Sequence, residues 1–128
     1  MDLYKFFSES ELACKCGCGA GQHNMDEPFM AQLVFLRKTW GKPLPLNSAF
    51  RCPRHNTRVS KTGPEGPHTT GKAVDIRIYG GEAHALMKLV MKEFDYTGIG
   101  WNQKGPYAGR FIHLDTLVMP GREWIWTY

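Results

Sequence analysis

Fourteen glycines and eight prolines punctuate this chain of 128 residues, and their placement limits what it can build. The glycines gather at positions 17–21, 63–71, 80–81 and 98–109. Glycine inside a helix or strand loses backbone entropy on folding, and proline removes a hydrogen-bond donor, so regular elements must fit between these joints. That leaves room for few helices and several short strands. The joints lie within one domain: no internal repeat or low-complexity tract divides the chain, and residues 1–128 are expected to form a single domain with one modest core.

Local patterns fill the intervals. Ser8-Glu9-Ser10-Glu11 has capping-box spacing and predicts a short helical turn from Ser8, running at once into a Cys14–Gly19 loop. Asp26-Glu27-Pro28 reads as a helix start, Phe29, Leu33, Leu36 and Trp40 share a face, and Gly41-Lys42-Pro43 ends the helix. Pro45 to Phe50 reads as a short extended segment, and residues 51–67 as a long loop. From Lys72 to Tyr79 the chain alternates strictly, with Val74, Ile76 and Ile78 on one side and Ala73, Asp75, Arg77 and Tyr79 on the other, which predicts a strand. Ala83, Leu86, Met87, Val90, Met91 and Phe94 form the apolar stripe of a second helix. Short strands are expected around Gly98–Trp101, Arg110–Asp115 and Trp124–Tyr128. Helices and strands do not alternate regularly, so the expected class is α+β, with a small, mainly antiparallel sheet and helices packed on one side.

Composition excludes several classes. Hydrophobic residues make up 42% and charged residues 22%, as in ordinary soluble domains. No run of about 18 apolar residues exists, so no membrane insertion is expected. The opening Met1-Asp2-Leu3-Tyr4-Lys5 lacks a basic region followed by an apolar stretch, so no signal peptide is read and synthesis in the cytoplasm is expected. The net charge of +4 comes without a basic stripe carrying interleaved aromatics, which argues against nucleic acid as a partner. A monomer is expected.

The chemistry-bearing residues are His68, Asp75 and His113. His68 precedes the predicted strand that carries Asp75, and Gly71 turns the backbone between them. In Phe111-Ile112-His113-Leu114-Asp115, His113 and Asp115 share one face and Ile112 and Leu114 the other. A sheet pairing these strands gathers two imidazoles and a carboxylate. Two His and one carboxylate form a recognised catalytic zinc set that leaves a fourth position open. The bland alternative is a hydrogen-bonded Asp75 beside two ordinary polar histidines.

The stretches Ser48-Ala49-Phe50-Arg51-Cys52-Pro53-Arg54-His55-Asn56, His68-x-x-Gly71-x-Ala73-x-Asp75 and Phe111-Ile112-His113-Leu114-Asp115, in that order, resemble the M15 peptidases, zinc D,D-carboxypeptidases and endopeptidases of peptidoglycan related in fold to the hedgehog signalling domain. Glu123-Trp124-Ile125-Trp126 is similar to the end of small phage-type members. The resemblance implies that His68, Asp75 and His113 ligate Zn2+, and that Arg51 faces the substrate, able to hold a peptide carboxylate or a developing oxyanion. Ser48 is then expected beside the substrate, orienting a ligand or tying down its turn.

The chain departs from the resemblance at the general base. Where better-known members carry an acid or a histidine just before the last zinc histidine, this chain has Arg110 and Phe111. Asp115 is the nearest carboxylate by motif. It either accepts the proton of the attacking water or fixes a ligand imidazole, and Glu65 is a further acid that could serve.

Cys14, Cys16, Cys18 and Cys52 are compatible with a structural metal, with disulfides or with free thiols. His55 is expected in a loop making backbone hydrogen bonds, and His84 partly exposed on the second helix. Trp101, Tyr107, Trp124 and Trp126 are candidates for a substrate groove, with packing the commoner role for such residues. The expected function is hydrolysis of amide bonds in peptidoglycan stem or cross-link peptides by zinc-activated water, in a cell-wall lytic protein of phage type released to the wall or carried on a virion. The alternative is a non-catalytic, zinc-containing wall-binding or virion structural module on the same fold.

Overall fold

Two helices of equal length supply most of the apolar cover of the sheet. In the computed structural model, which describes residues 4–128, α1 is the single turn Glu9–Leu12, opened by the expected capping box in which Ser8 and Glu11 satisfy each other's backbone N–H groups. Helix α2 spans Glu27–Trp40, with Asp26 accepting the Phe29 N–H at 2.9 Å, Pro28 in the first turn and Gly41 closing the far end. Strand β1 is Leu46–Ser48, α3 is Pro53–Val59, and β2 is Ala73–Arg77. Helix α4 spans Gly80–Glu93, followed by β3 at Gly98–Asn102, β4 at Phe111–Asp115 and β5 at Trp124–Thr127. Single turns of 3-10 helix link these elements, including Gly63–Glu65 and Pro67–Thr70.

The strands form one five-stranded sheet in the order β1-β2-β4-β3-β5. The first three pairings are antiparallel and β3–β5 is parallel, so the α+β class and the mainly antiparallel sheet stand. Alternation along β2 and β4 sends Val74, Ile76, Ile112 and Leu114 to one face, where they are buried in a continuous core with Phe29, Leu33 and Leu36 of α2 and Ala83, Leu86 and Val90 of α4. The opposite face carries Asp75, His113 and Asp115.

Three local expectations are corrected. Residues 53–59 are helical, not loop: the Cys52 sulfur accepts the His55 N–H at 3.4 Å, and Pro53 fills the first helical position, where it has no N–H to lose. Met91 is not a core residue: it is 54% exposed, because the sheet under α4 takes only the narrower row of Ala83, Leu86 and Val90. The second helix also begins at Gly80, so the paired glycines open it and do not merely end the strand.

Candidate metal centre

The register of β2 on β4 sets Asp75 opposite His113 and Ala73 opposite Asp115. On the other side of β4, Gly98 faces Asp115 and Gly100 faces His113. These two glycines provide space. A Cβ at Gly98 would collide with the Asp115 carboxylate, and one at Gly100 would meet Trp126 Nε1 at 2.8 Å and His113 Cβ at 3.0 Å. His68 arrives from the 3-10 turn before β2. That turn ends in Gly71, whose left-handed backbone (φ 76°) and close approach to the Asn24 carbonyl admit no side chain. The Gly71 carbonyl also accepts the Asp26 N–H at 2.9 Å, which ties the turn to the start of α2.

The three expected ligands meet. His68 Nε2 lies 3.2 Å and His113 Nδ1 lies 2.9 Å from the same oxygen, Asp75 Oδ1. All three residues are buried, and their ligating atoms lie within 4.8 Å of one another. Around a tetrahedral zinc with bonds of about 2.0–2.1 Å, such atoms stand about 3.3 Å apart, so the donor set and its spacing fit that ion. Each ring is also oriented from behind. His68 Nδ1 is 2.7 Å from the Ala49 carbonyl, which can only accept, so Nδ1 holds a proton and Nε2 is the nitrogen that faces the cluster. His113 Nε2 is 2.8 Å from Asp115 Oδ2.

Asp115 is fully buried and its oxygens are fully engaged. Arg122 pairs with it through two guanidinium nitrogens, and the Leu117 N–H donates to Oδ1 at 3.3 Å. It therefore sits behind His113, on the ring nitrogen turned away from Asp75. Of the two roles expected of Asp115, these contacts are those of the residue that fixes the ligand imidazole.

Electrostatics bind the group together. Burial alone raises the Asp75 pKa, but the charge of His68 and the hydrogen bonds of His113 and His68 outweigh it and hold the carboxyl well below the usual range. Burial likewise raises that of Asp115, and hydrogen bonds from His113 and Arg122 bring it below its ordinary value. Burial disfavours a charged His113 ring, yet its hydrogen bonds to Asp115 and Asp75 win and its pKa is raised. The two carboxylates and the His113 ring thus stabilise one another's charged forms across shared hydrogen bonds.

Arg51 closes one side. Its guanidinium reaches Asp75 Oδ2 at 3.5 Å, donates from Nε to Ser48 Oγ at 3.1 Å and from NH1 to Asn56 Oδ1 at 3.1 Å. Arg51 lines a cleft of about 700 Å³ together with Glu65, His68, Asp75, His113, Trp126 and Tyr128. Ser48 is not among the cleft walls; its hydroxyl positions Arg51. Trp124 also lines the cleft, whereas Trp101 and Tyr107 do not. Burial and the charge of Asp75 push the Tyr128 phenol up to about 12, so at neutral pH it remains a hydrogen-bond donor.

Asn56 and Arg122 are the supporting residues that spacing did not single out. Asn56 is buried and accepts from Arg51 while its amide donates to Thr62 and the Gly63 carbonyl. Arg122 stands in the turn before β5, and nothing short of the sheet register connects it to Asp115. His55, expected in a loop, lies in α3, where its backbone N–H donates to Cys52 Sγ, and His23 and His84 are exposed. No helix among the described residues is long and apolar enough to cross a membrane.

No curated protein and no solved structure matches the chain significantly. A family model described as Peptidase M15 matches residues 5–115, a span that contains His68, Asp75, His113 and Asp115. With most of its length covered by that match, and with a His–Asp–His set that could hold a metal ion, the chain belongs to the M15 family of metallopeptidases.

Proposed function

We propose that the protein is a zinc-dependent peptidase that cleaves amide bonds in the stem or cross-link peptides of peptidoglycan, acting at the cell wall. The observation that carries this reading is the buried His68–Asp75–His113 set in the wall of an open cleft, in a chain of the M15 family. Zinc held by His68 Nε2, Asp75 and His113 Nδ1 would supply a Lewis acid and lower the pKa of water.

The chain's own residues do the rest. The Ala49 carbonyl and Asp115 keep the two rings in the tautomers that present a lone pair to the ion. Arg51, held flat by Ser48 and Asn56, presents positive charge to the cleft, where it can meet a peptide carboxylate or the oxygen on which charge develops. Trp124, Trp126 and Tyr128 form an apolar wall against which a stem peptide can lie. Because every oxygen of Asp115 is engaged, proton transfer falls to Glu65, the cleft carboxylate outside the cluster.

The test is mass spectrometry of muropeptides after incubating purified peptidoglycan with zinc-loaded protein. New fragments with the intact protein, absent with His113→Ala and strongly reduced with Glu65→Gln, are expected, and their masses name the bond. Peptidoglycan binding without fragments, with zinc bound at the three ligands, would overturn the reading in favour of a wall-binding or virion structural module. Arg110 and Phe111, in place of the expected acid, are the feature that would then explain it.

A further inference from the structure

A second cluster lies apart from the histidines. Cys14, Cys16 and Cys18 come from the loop after α1, and Cys52 from the segment between β1 and α3. All four sulfurs lie within 4.8 Å of one another. Cys14 and Cys16 sulfurs are 3.4 Å apart, and those of Cys16 and Cys52 are 3.6 Å apart. Thiolates around a tetrahedral zinc, with bonds of about 2.3 Å, stand about 3.8 Å from one another. The four cysteines are unpaired by disulfides.

The local chain is shaped to produce this convergence. Gly17 and Gly19 both take left-handed backbone (φ 82° and 92°), and no atom lies within 4 Å of the place a side chain would occupy. They are required for conformation and not for space, and they let alternate residues turn their sulfurs inward. The loop is closed at its base by the Cys14 N–H on the Ala20 carbonyl at 2.9 Å. Backbone amides point at two of the sulfurs: Cys52 N–H donates to Cys14 Sγ at 3.3 Å, and His55 N–H to Cys52 Sγ at 3.4 Å.

We propose that Cys14, Cys16, Cys18 and Cys52 bind one structural zinc ion, distinct from the ion of the histidine site. Four sulfur donors fill a tetrahedral zinc and leave no position for substrate, so the site is closed and structural. Its role follows from its position. Cys52 caps α3 and directly follows Arg51, and α3 supplies Asn56, which holds the Arg51 guanidinium. An ion there staples the loop after α1 to the segment that presents Arg51 to the cleft. The inference stands on the thiol geometry alone and does not depend on the peptidase reading.

Zinc content and cobalt spectra test it. Protein grown with zinc should carry one ion per chain at the thiols, beside any held by the histidine site, and His113→Ala should keep that one. Cobalt exchanged into His113→Ala should give an intense near-ultraviolet thiolate-to-cobalt charge-transfer band. Cys16→Ser with Cys18→Ser, both at exposed positions, should lose that band and one zinc while retaining the circular dichroism of the parent. Should that variant fail to fold, titrating the wild-type thiols with an organomercurial gives the same answer: one zinc released per chain supports the site. His113→Ala purified without zinc, or with an intact mass lowered by disulfide formation, overturns it.

Discussion

Strands β2 and β4 each present two faces, and the two faces obey different rules. On one, Val74, Ile76, Ile112 and Leu114 pack under α2 and α4, and any apolar residue of similar volume would serve. On the other, Asp75, His113 and Asp115 are just as deeply buried, but each polar atom has a named partner. Both faces are buried; what differs is substitutability. The apolar face is held by volume. The polar face is held by a chain of contacts running from the Ala49 carbonyl through His68, Asp75, His113 and Asp115 to Arg122, which no single apolar replacement reproduces.

The largest effect expected from this contrast is functional. His113→Ala should reduce amide hydrolysis to background and remove the metal of the histidine site, read by fragment release and zinc content; retained hydrolysis would break the comparison. Next, on the opposite face of the same strand, Ile112→Ala should cost about 2–5 kcal/mol of stability through the cavity it leaves, measured by denaturant unfolding, with zinc still bound in the folded fraction. Third, Asp115→Asn should weaken zinc at the histidine site about 10–100-fold, measured by chelator competition, while a buried group with a merely structural role would leave that affinity unmoved. The smallest effect belongs to the apolar side. The Tyr96 hydroxyl is buried without a hydrogen-bond partner among the described residues, so Tyr96→Phe should leave stability unchanged or raise it by up to about 1 kcal/mol in thermal unfolding.

The apolar face was legible because strict alternation in β2 and a 3.6-residue stripe in α2 are local patterns that burial enforces. The convergence of the three candidate ligands was legible for a related reason. His68, Gly71 and Asp75 sit within one turn and strand, and His113 shares a polar face that the Ile112–Leu114 alternation defines. What escaped depended on partners distant in sequence or on unusual chemistry. Arg122 meets Asp115 only through the return of the chain towards β5. Helix α3 was hidden by proline and by a thiol cap, since cysteine is not among the residues that ordinarily open helices. Met91 satisfied the periodicity of α4, but periodicity gives the direction of a side chain and not how far the sheet beneath extends. The parallel pairing of β5 with β3 is a matter of chain path, on which composition and alternation are silent.

The pairing of β4 with two quite different neighbours has a consequence for folding kinetics. With β3 it closes a loop between Asn102 and Phe111; with β2 it must bring Asp75 to His113 across 38 positions. Closing the longer loop costs only about 1 kcal/mol more in chain entropy, but long-range pairings are the ones that slow a fold down. The β3–β4 hairpin carries a single ligand, His113, while the seam with β2 carries the cluster itself. A half-folded chain with its hairpin formed therefore brings His113 and Asp115 together but neither Asp75 nor His68, so capture of an ion at this site would report closure of the seam and not collapse of the chain.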